Sequence, residues 1–193
     1  NLSISGGQNG NDIFVFSDNA ANSGNVSIIN LSGNQSYIVG SNAGTNLGVF
    51  VINDSDGDHR FSIGNNAGSD YGAFDIDVGN GKHDFKIGDD AGNYWGNFSI
   101  TAGDGDQTYD IGNEAGENLG SFSIETGIGS SSFVFGDDAA RDNGRIDLDL
   151  GSDADADSIS FDGLVGNIFI QNYSVTYDDK VDVVVPSTWS GTD

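Results

Sequence analysis

The residues of this chain best suited to chemistry are aspartates set two apart in glycine turns, and the chemistry is hard-cation binding. Asp54-Ser-Asp56-Gly-Asp58 places three carboxylates in one tight turn, as in the first half of many calcium loops. No bidentate Glu follows at EF-hand spacing, so the segment is not an EF-hand. Asp104-Gly-Asp106 and Asp153-Ala-Asp155-Ala-Asp157 repeat the alternation. A second set, Asp89/Asp90 and Asp137/Asp138, follows glycines and shares its phase with Asp18/Asn19, Ser41/Asn42, Asn65/Asn66 and Asn113/Glu114. Ca²⁺ takes carboxylate and backbone carbonyl oxygens, which glycine turns expose. Asn/Asp pairs are also plain turn formers whose side chains bond their own backbone.

Two further sets carry possible chemistry. His59 and His83 share one phase. The simple expectation is a solvent-facing turn; the alternative is a transition metal shared by stacked imidazoles. Leu47, Tyr71, Trp95 and Leu119 form an apolar ladder, expected to close the edge of the core. Its alternative is an aromatic strip for sugar or protein contact at Tyr71, Tyr94 and Trp95. No catalytic constellation is visible: there is no GxSxG, HExxH or P-loop. Paired carboxylates for glycoside cleavage would go with irregular, enlarged loops, and the repeat is regular, so the expectation is no enzyme.

The elements that position these residues follow from a 24-residue period. Gly40, Gly64, Gly88, Gly112 and Gly136 keep this step, as do Tyr37, Phe61, Phe85, Tyr109 and Phe133. Gly48, Gly72, Gly96, Gly120 and Gly144 make a second ladder. In each unit, alternating apolar and polar residues (Phe85-Lys-Ile87, Phe98-Ser-Ile100) read as strands with one face buried, separated by turn residues. Stacked strand–turn–strand–turn units predict an all-β parallel solenoid, or β-roll, of two sheets, each coil adding one strand to each sheet. Phe stacks on Phe and Ile on Ile between the sheets. A slightly shorter coil starts at Phe14, and Asn1 to Ile4 reads as the second half of a coil. Residues 1–157 form the repeat array and 158–193 a C-terminal capping coil and strands. Ile159–Phe161 and Ile168–Ile170 read as one shortened coil, and Ser174–Val185 as one or two longer strands.

Composition narrows the function. The chain of 193 residues has formal net charge −24, and of its 30 acidic residues only Glu114, Glu117 and Glu125 are glutamate. Such acidity opposes nucleic acid and anionic membrane as partners. Cys is absent, which removes disulfides and thiolate metal sites. Met is absent too, so the sequence reads as a processed form or an excised segment. No apolar run is long enough to span a membrane. Thirty glycines with regularly placed apolar residues fit a turn-rich β protein, not a disordered one.

Gly6-Gly7-Gln8-Asn9-Gly10-Asn11-Asp12-Ile13-Phe14-Val15-Phe16 resembles the Gly-Gly-x-Gly-x-Asp-x-apolar-x nonapeptide of the repeats-in-toxin (RTX) β-roll family, with one extra residue in the turn. That family has a shorter coil, so the resemblance covers the first dozen or so residues closely and the rest by architecture. It implies a two-sheet parallel roll binding Ca²⁺ between turns, with Asp12, Asp104 and Asp106 as ligands. It also implies export by bacteria and folding outside the cell. The repeats are similar as well to the curli type of functional amyloid, without its internal Gln ladder. Together these readings give a secreted, calcium-stabilised structural solenoid at the cell surface. It would build a filament, surface layer or adhesin by strand-edge stacking, with self-association as the main partnership. A carbohydrate- or surface-binding module is the alternative. Ice binding fits poorly, because outward positions such as Lys86, Asp110 and Asp77 are charged.

Overall fold

A computed structural model describes residues 1–5, 10–29, 33–151, 157–163, 165–171 and 182–184. Alternating short strands go to two sheets. The first holds β1 (Leu2–Ser5), β3 (Asn25–Ile29), β5 (Val49–Asn53), β7 (Ala73–Val78), β9 (Asn97–Ala102), β11 (Ser121–Glu125), β13 (Arg145–Asp149) and β15 (Ile168–Gln171). The second holds β2 (Ile13–Phe16), β4 (Ser36–Val39), β6 (Arg60–Ile63), β8 (His83–Ile87), β10 (Gln107–Ile111), β12 (Ser131–Phe135), β14 (Ser158–Phe161) and β16 (Asp182–Val184). Every pairing is parallel, and among the described residues there is no helix. The chain is a parallel β-solenoid of 24-residue coils, as the period requires.

Register follows the sequence period residue by residue. Tyr37 pairs with Phe61, Phe61 with Phe85, and Phe85 with Tyr109. Phe14 pairs with Tyr37, which is the shorter first coil. Ile159 pairs with Phe133 and Ile168 with Ile146, so β14 and β15 continue the same two sheets. Of the strands expected over Ser174–Val185, β16 is described; residues 172–181 lie outside the described residues.

Alternation turns one side of each strand inward. Phe85, Phe98, Tyr109 and Phe122 are fully buried, with Ile63, Ile87, Ile100 and Ile124 beside them. Phe14, Tyr37, Phe61, Phe85, Tyr109 and Phe133 stack with centroids 4.6 to 5.2 Å apart. Phe50, Phe74, Phe98 and Phe122 make a second column at 4.7 to 5.1 Å. Each buried Phe stabilises by roughly 1.5–3 kcal/mol, and each aromatic contact adds about 0.5–1.5 kcal/mol. One coil has nothing to cover its rings, so the columns exist only as a stack.

The glycine ladder at Gly48, Gly72, Gly96, Gly120 and Gly144 is set by close approach. A Cβ at Gly72 would lie 1.7 Å from the Gly44 carbonyl oxygen, and one at Gly120 1.9 Å from that of Gly92. Chain direction at the same corner depends on left-handed residues. Asn66, Asp90, Glu114 and Asp138 have φ near +60°, a conformation Asn and Asp tolerate well.

Candidate functional site

The corners place the predicted ligands in ladders joined by hydrogen bonds from coil to coil. At the first corner the Ser41 N–H donates to Asp18 Oδ1 (2.9 Å), Asn65 N–H to Ser41 Oγ (3.3 Å) and Asp89 N–H to Asn65 Oδ1 (3.2 Å). Asn113 N–H then donates to Asp89 Oδ1 (2.9 Å) and Asp137 N–H to Asn113 Oδ1 (2.8 Å). The opposite corner has two such ladders. In one, Asn80 N–H donates to Asp56 Oδ1 (2.7 Å), Asp104 N–H to Asn80 Oδ1 (2.8 Å) and Ile128 N–H to Asp104 Oδ1 (3.0 Å). In the other, Asp58 N–H donates to Asn34 Oδ1 (2.9 Å), Lys82 N–H to Asp58 Oδ1 (2.9 Å) and Ser130 N–H to Asp106 Oδ1 (3.3 Å).

One expectation changes here. Turn side chains such as Asn65 and Asn113 bond the next coil's backbone. Stacked carboxylates are separated by amide N–H donors, so a cation or water is not the sole means of relieving their repulsion. A hydrogen bond to a charged acceptor is worth about 1.5–3 kcal/mol when it forms in a protected site, less at these exposed corners. Among the described residues, no three His, Asp or Glu side chains gather as ligands for a metal ion.

The remaining predicted ligands have varied surroundings. Asp12 is exposed, and its N–H donates to Gln35 Oε1 (2.8 Å). Asp54 is buried: the Tyr37 hydroxyl donates to its Oδ2 (2.6 Å) and the Ser55 N–H to its Oδ1 (2.8 Å). Asp90 Oδ1 accepts from Asn93 Nδ2 (2.8 Å), and Asp138 pairs with Arg141. Asp157 is buried and accepts from the Ser131 N–H (2.8 Å). Asp153 and Asp155 lie outside the described residues.

Glu114 stands in the column between Asp90 and Asp138. Desolvation first, then the charge and hydrogen bond of Asp90 and the nearby Glu117, push its carboxyl up to about 7. Glu117 is raised as well, chiefly by desolvation.

The two histidines are not on a solvent-facing turn. His59 and His83 are 2% and 0% exposed, with parallel rings 5.1 Å apart. They belong to a buried polar column with Gln35, Gln107 and Ser131, all in one phase. His59 Nδ1 accepts from the Gln35 N–H (3.2 Å) and His83 Nδ1 from the His59 N–H (3.4 Å). Their Nε2 atoms face the carbonyl oxygens of Ser55 (2.8 Å) and Gly79 (2.9 Å). Gln107 Nε2 donates to Gly103 O in the same way (3.0 Å). The sequence signal for this column is parity: His59, Phe61 and Ile63 lie two apart, so all point inward.

The apolar ladder does not close the core. Leu47, Tyr71, Trp95 and Leu119 are 76%, 62%, 57% and 44% exposed, and Tyr94 stands beside them at 54%. All four have φ near +60°, and the residue before each is left-handed too. Two left-handed residues in succession turn the ladder away from the sheets. The Tyr71 and Trp95 rings are parallel, 6.3 Å apart.

No family model, curated protein or solved structure matches the chain. The class is therefore set by the fold alone: a parallel β-solenoid repeat protein.

Proposed function

We propose that the protein is a structural rod, the repeating part of an extracellular filament, surface layer or adhesin stalk. The observation that carries this is the repetition of one cross-section. Two aromatic columns and the corner ladders run from coil to coil, the third ladder interrupted at Lys82, and the 24-residue step holds from Tyr37 to Phe133. Stability in such a stack is shared between neighbours, which suits a spacer that bears load along its axis. A shallow open depression of about 550 Å³ lies beside Asp12, Asp58, Arg60 and Asp84. Hydrolytic or transfer chemistry is no part of this proposal.

Placement outside the cell rests on the resemblance of residues 6–16 to exported β-rolls. Calcium enters as the counter-ion of the corner carboxylates, whose charge persists whatever their oxygens accept. Self-association proceeds through strand edges, the parallel stack being a template for further strands. Electron microscopy of the purified chain, with Ca²⁺ and with EDTA, tests the proposal. Filaments or ordered sheets support it, and dispersed monomers under both conditions reject it.

The exposed ladder favours a second reading, a surface- or carbohydrate-binding module. Glycan binding through Tyr71, Tyr94 and Trp95 would be lost in Trp95→Ala with the circular dichroism unchanged. Glycan-array binding by the wild type that survives this substitution counts against the reading.

A further inference from the structure

The buried polar column has a chemical asymmetry among its rungs. Gln35 and Gln107 hold one charge state at every pH, whereas His83, between His59 and Gln107, can take a proton. Its protonation state is fixed by its neighbours. The Gly79 carbonyl only accepts, so the Nε2 facing it at 2.9 Å carries hydrogen. The His59 amide only donates, so the Nδ1 receiving it at 3.4 Å carries none. His83 is thus the neutral Nε2–H tautomer, fully buried. A proton on Nδ1 sets N–H against N–H and puts a charge beside the parallel His59 ring, 5.1 Å away.

We infer that this column is an acid-sensitive latch: protonation of His83 breaks the contact between the coils of His59 and His83 and loosens the solenoid there. The groups facing it decide whether they cushion that charge. Asp54 and Asp58 favour it, yet Asp54 already accepts the Tyr37 hydroxyl (2.6 Å) and Asp58 lies at the exposed corner. Phe61 and Phe85 present rings to the histidines. Gln35 and Gln107 are uncharged, while Arg60, Lys82 and Asp84 lie on the solvent side. Burial outweighs these and lowers the His83 pKa from its ordinary 6.5, with the neighbouring His59 lowering it further and Gly79, Asp58 and Asp54 opposing. The sign follows. A lowered value means that the unfolded chain binds the proton more readily. The stabilisation is present above pH 6.5 and is lost as pH falls through the folded value.

The test compares the full chain with the double variant His59→Gln/His83→Gln, which gives these rungs the residue already found at Gln35 and Gln107. Between pH 7.5 and 4.5 the wild type is expected to lose more stability than the double variant, by about tenfold in the unfolding constant for each pKa unit of lowering. Equal acid profiles overturn the inference. If the double variant does not fold, ¹⁵N imidazole spectra of the wild type decide. A neutral Nε2–H His83 that titrates below 6.5, together with faster exchange of the His59 amide, supports the latch. Titration at or above 6.5 without change in that amide overturns it.

Discussion

Two tyrosines of one aromatic column show how much a single hydroxyl depends on its neighbour. Tyr37 donates to the buried Asp54, and burial together with that carboxylate raises its pKa. The Tyr109 hydroxyl is buried without a hydrogen-bond partner among the described residues. Both rings stack alike, so Phe keeps the column in either place. Tyr109→Phe is expected to leave stability unchanged or raise it by about 1 kcal/mol, since an unsatisfied polar group costs that much or more. Tyr37→Phe leaves the Asp54 carboxylate without its donor and is expected to cost about 1–3 kcal/mol. Urea denaturation of both variants checks the contrast. At this scale the sequence is readable where a repeated residue type agrees with its strand parity and misleading where composition alone assigns its place. Phe61 and Phe85 are legible as core because every unit has an aromatic there. The aspartates before His59 suggest a turn for it and for His83, although their parity with Phe61 and Phe85 points inward. Apolarity alone suggests the core edge for Leu47 and Trp95, since left-handed backbone at bulky residues leaves no mark in composition.

The turns, more than the strands, decide which glycines the fold tolerates losing. Strand residues face either the core or water, and exchanges among apolar side chains there are absorbed by repacking. At the corner, one coil's backbone lies where a neighbouring Cβ would stand. Gly120→Ala would set its methyl 1.9 Å from the Gly92 carbonyl oxygen and is expected to cost about 3 kcal/mol or more. Thermal melts of this variant and the wild type check the collision. The glycine period is plain in the sequence, but its cause is not. A period shows that a turn recurs; carbonyl distances show why no side chain fits.

Charge is a property of the whole solenoid. A formal −24 opposes any compact state, and the corner hydrogen bonds act against that repulsion without removing it. Asp89→Asn keeps the oxygen that receives the Asn113 N–H and deletes one charge. It is expected to preserve or raise the melting temperature at low salt and to reduce the gain from added Ca²⁺ or NaCl. A loss of stability that Ca²⁺ fails to restore would instead mark Asp89 as a true cation ligand. Acid has two opposed effects. Glu114, raised to about 7, favours the protonated form in the folded state, so its contribution is present below 4.5 and is lost as pH rises through 7. His83 works the other way, losing its contribution as pH falls below 6.5. Glu114→Gln is expected to flatten the neutral side of the stability profile and leave the acid side to His83, as read by melting temperature across pH. The sequence displays the total charge and the phase of its carboxylates, but not whether each oxygen meets an amide or an ion, because that depends on how far one coil is displaced along the next.

In the corner ladders a side-chain oxygen of one coil accepts from the backbone of the coil after it, whereas in the buried column His59 and His83 accept from the coil before. A winding whose corner rungs carry oxygen therefore offers sockets ahead and plugs behind, and Lys82 has no oxygen to offer at its rung. A cassette copied or deleted whole keeps its junctions matched where the flanking rungs carry oxygen, so the stack can be lengthened or shortened in single-unit steps.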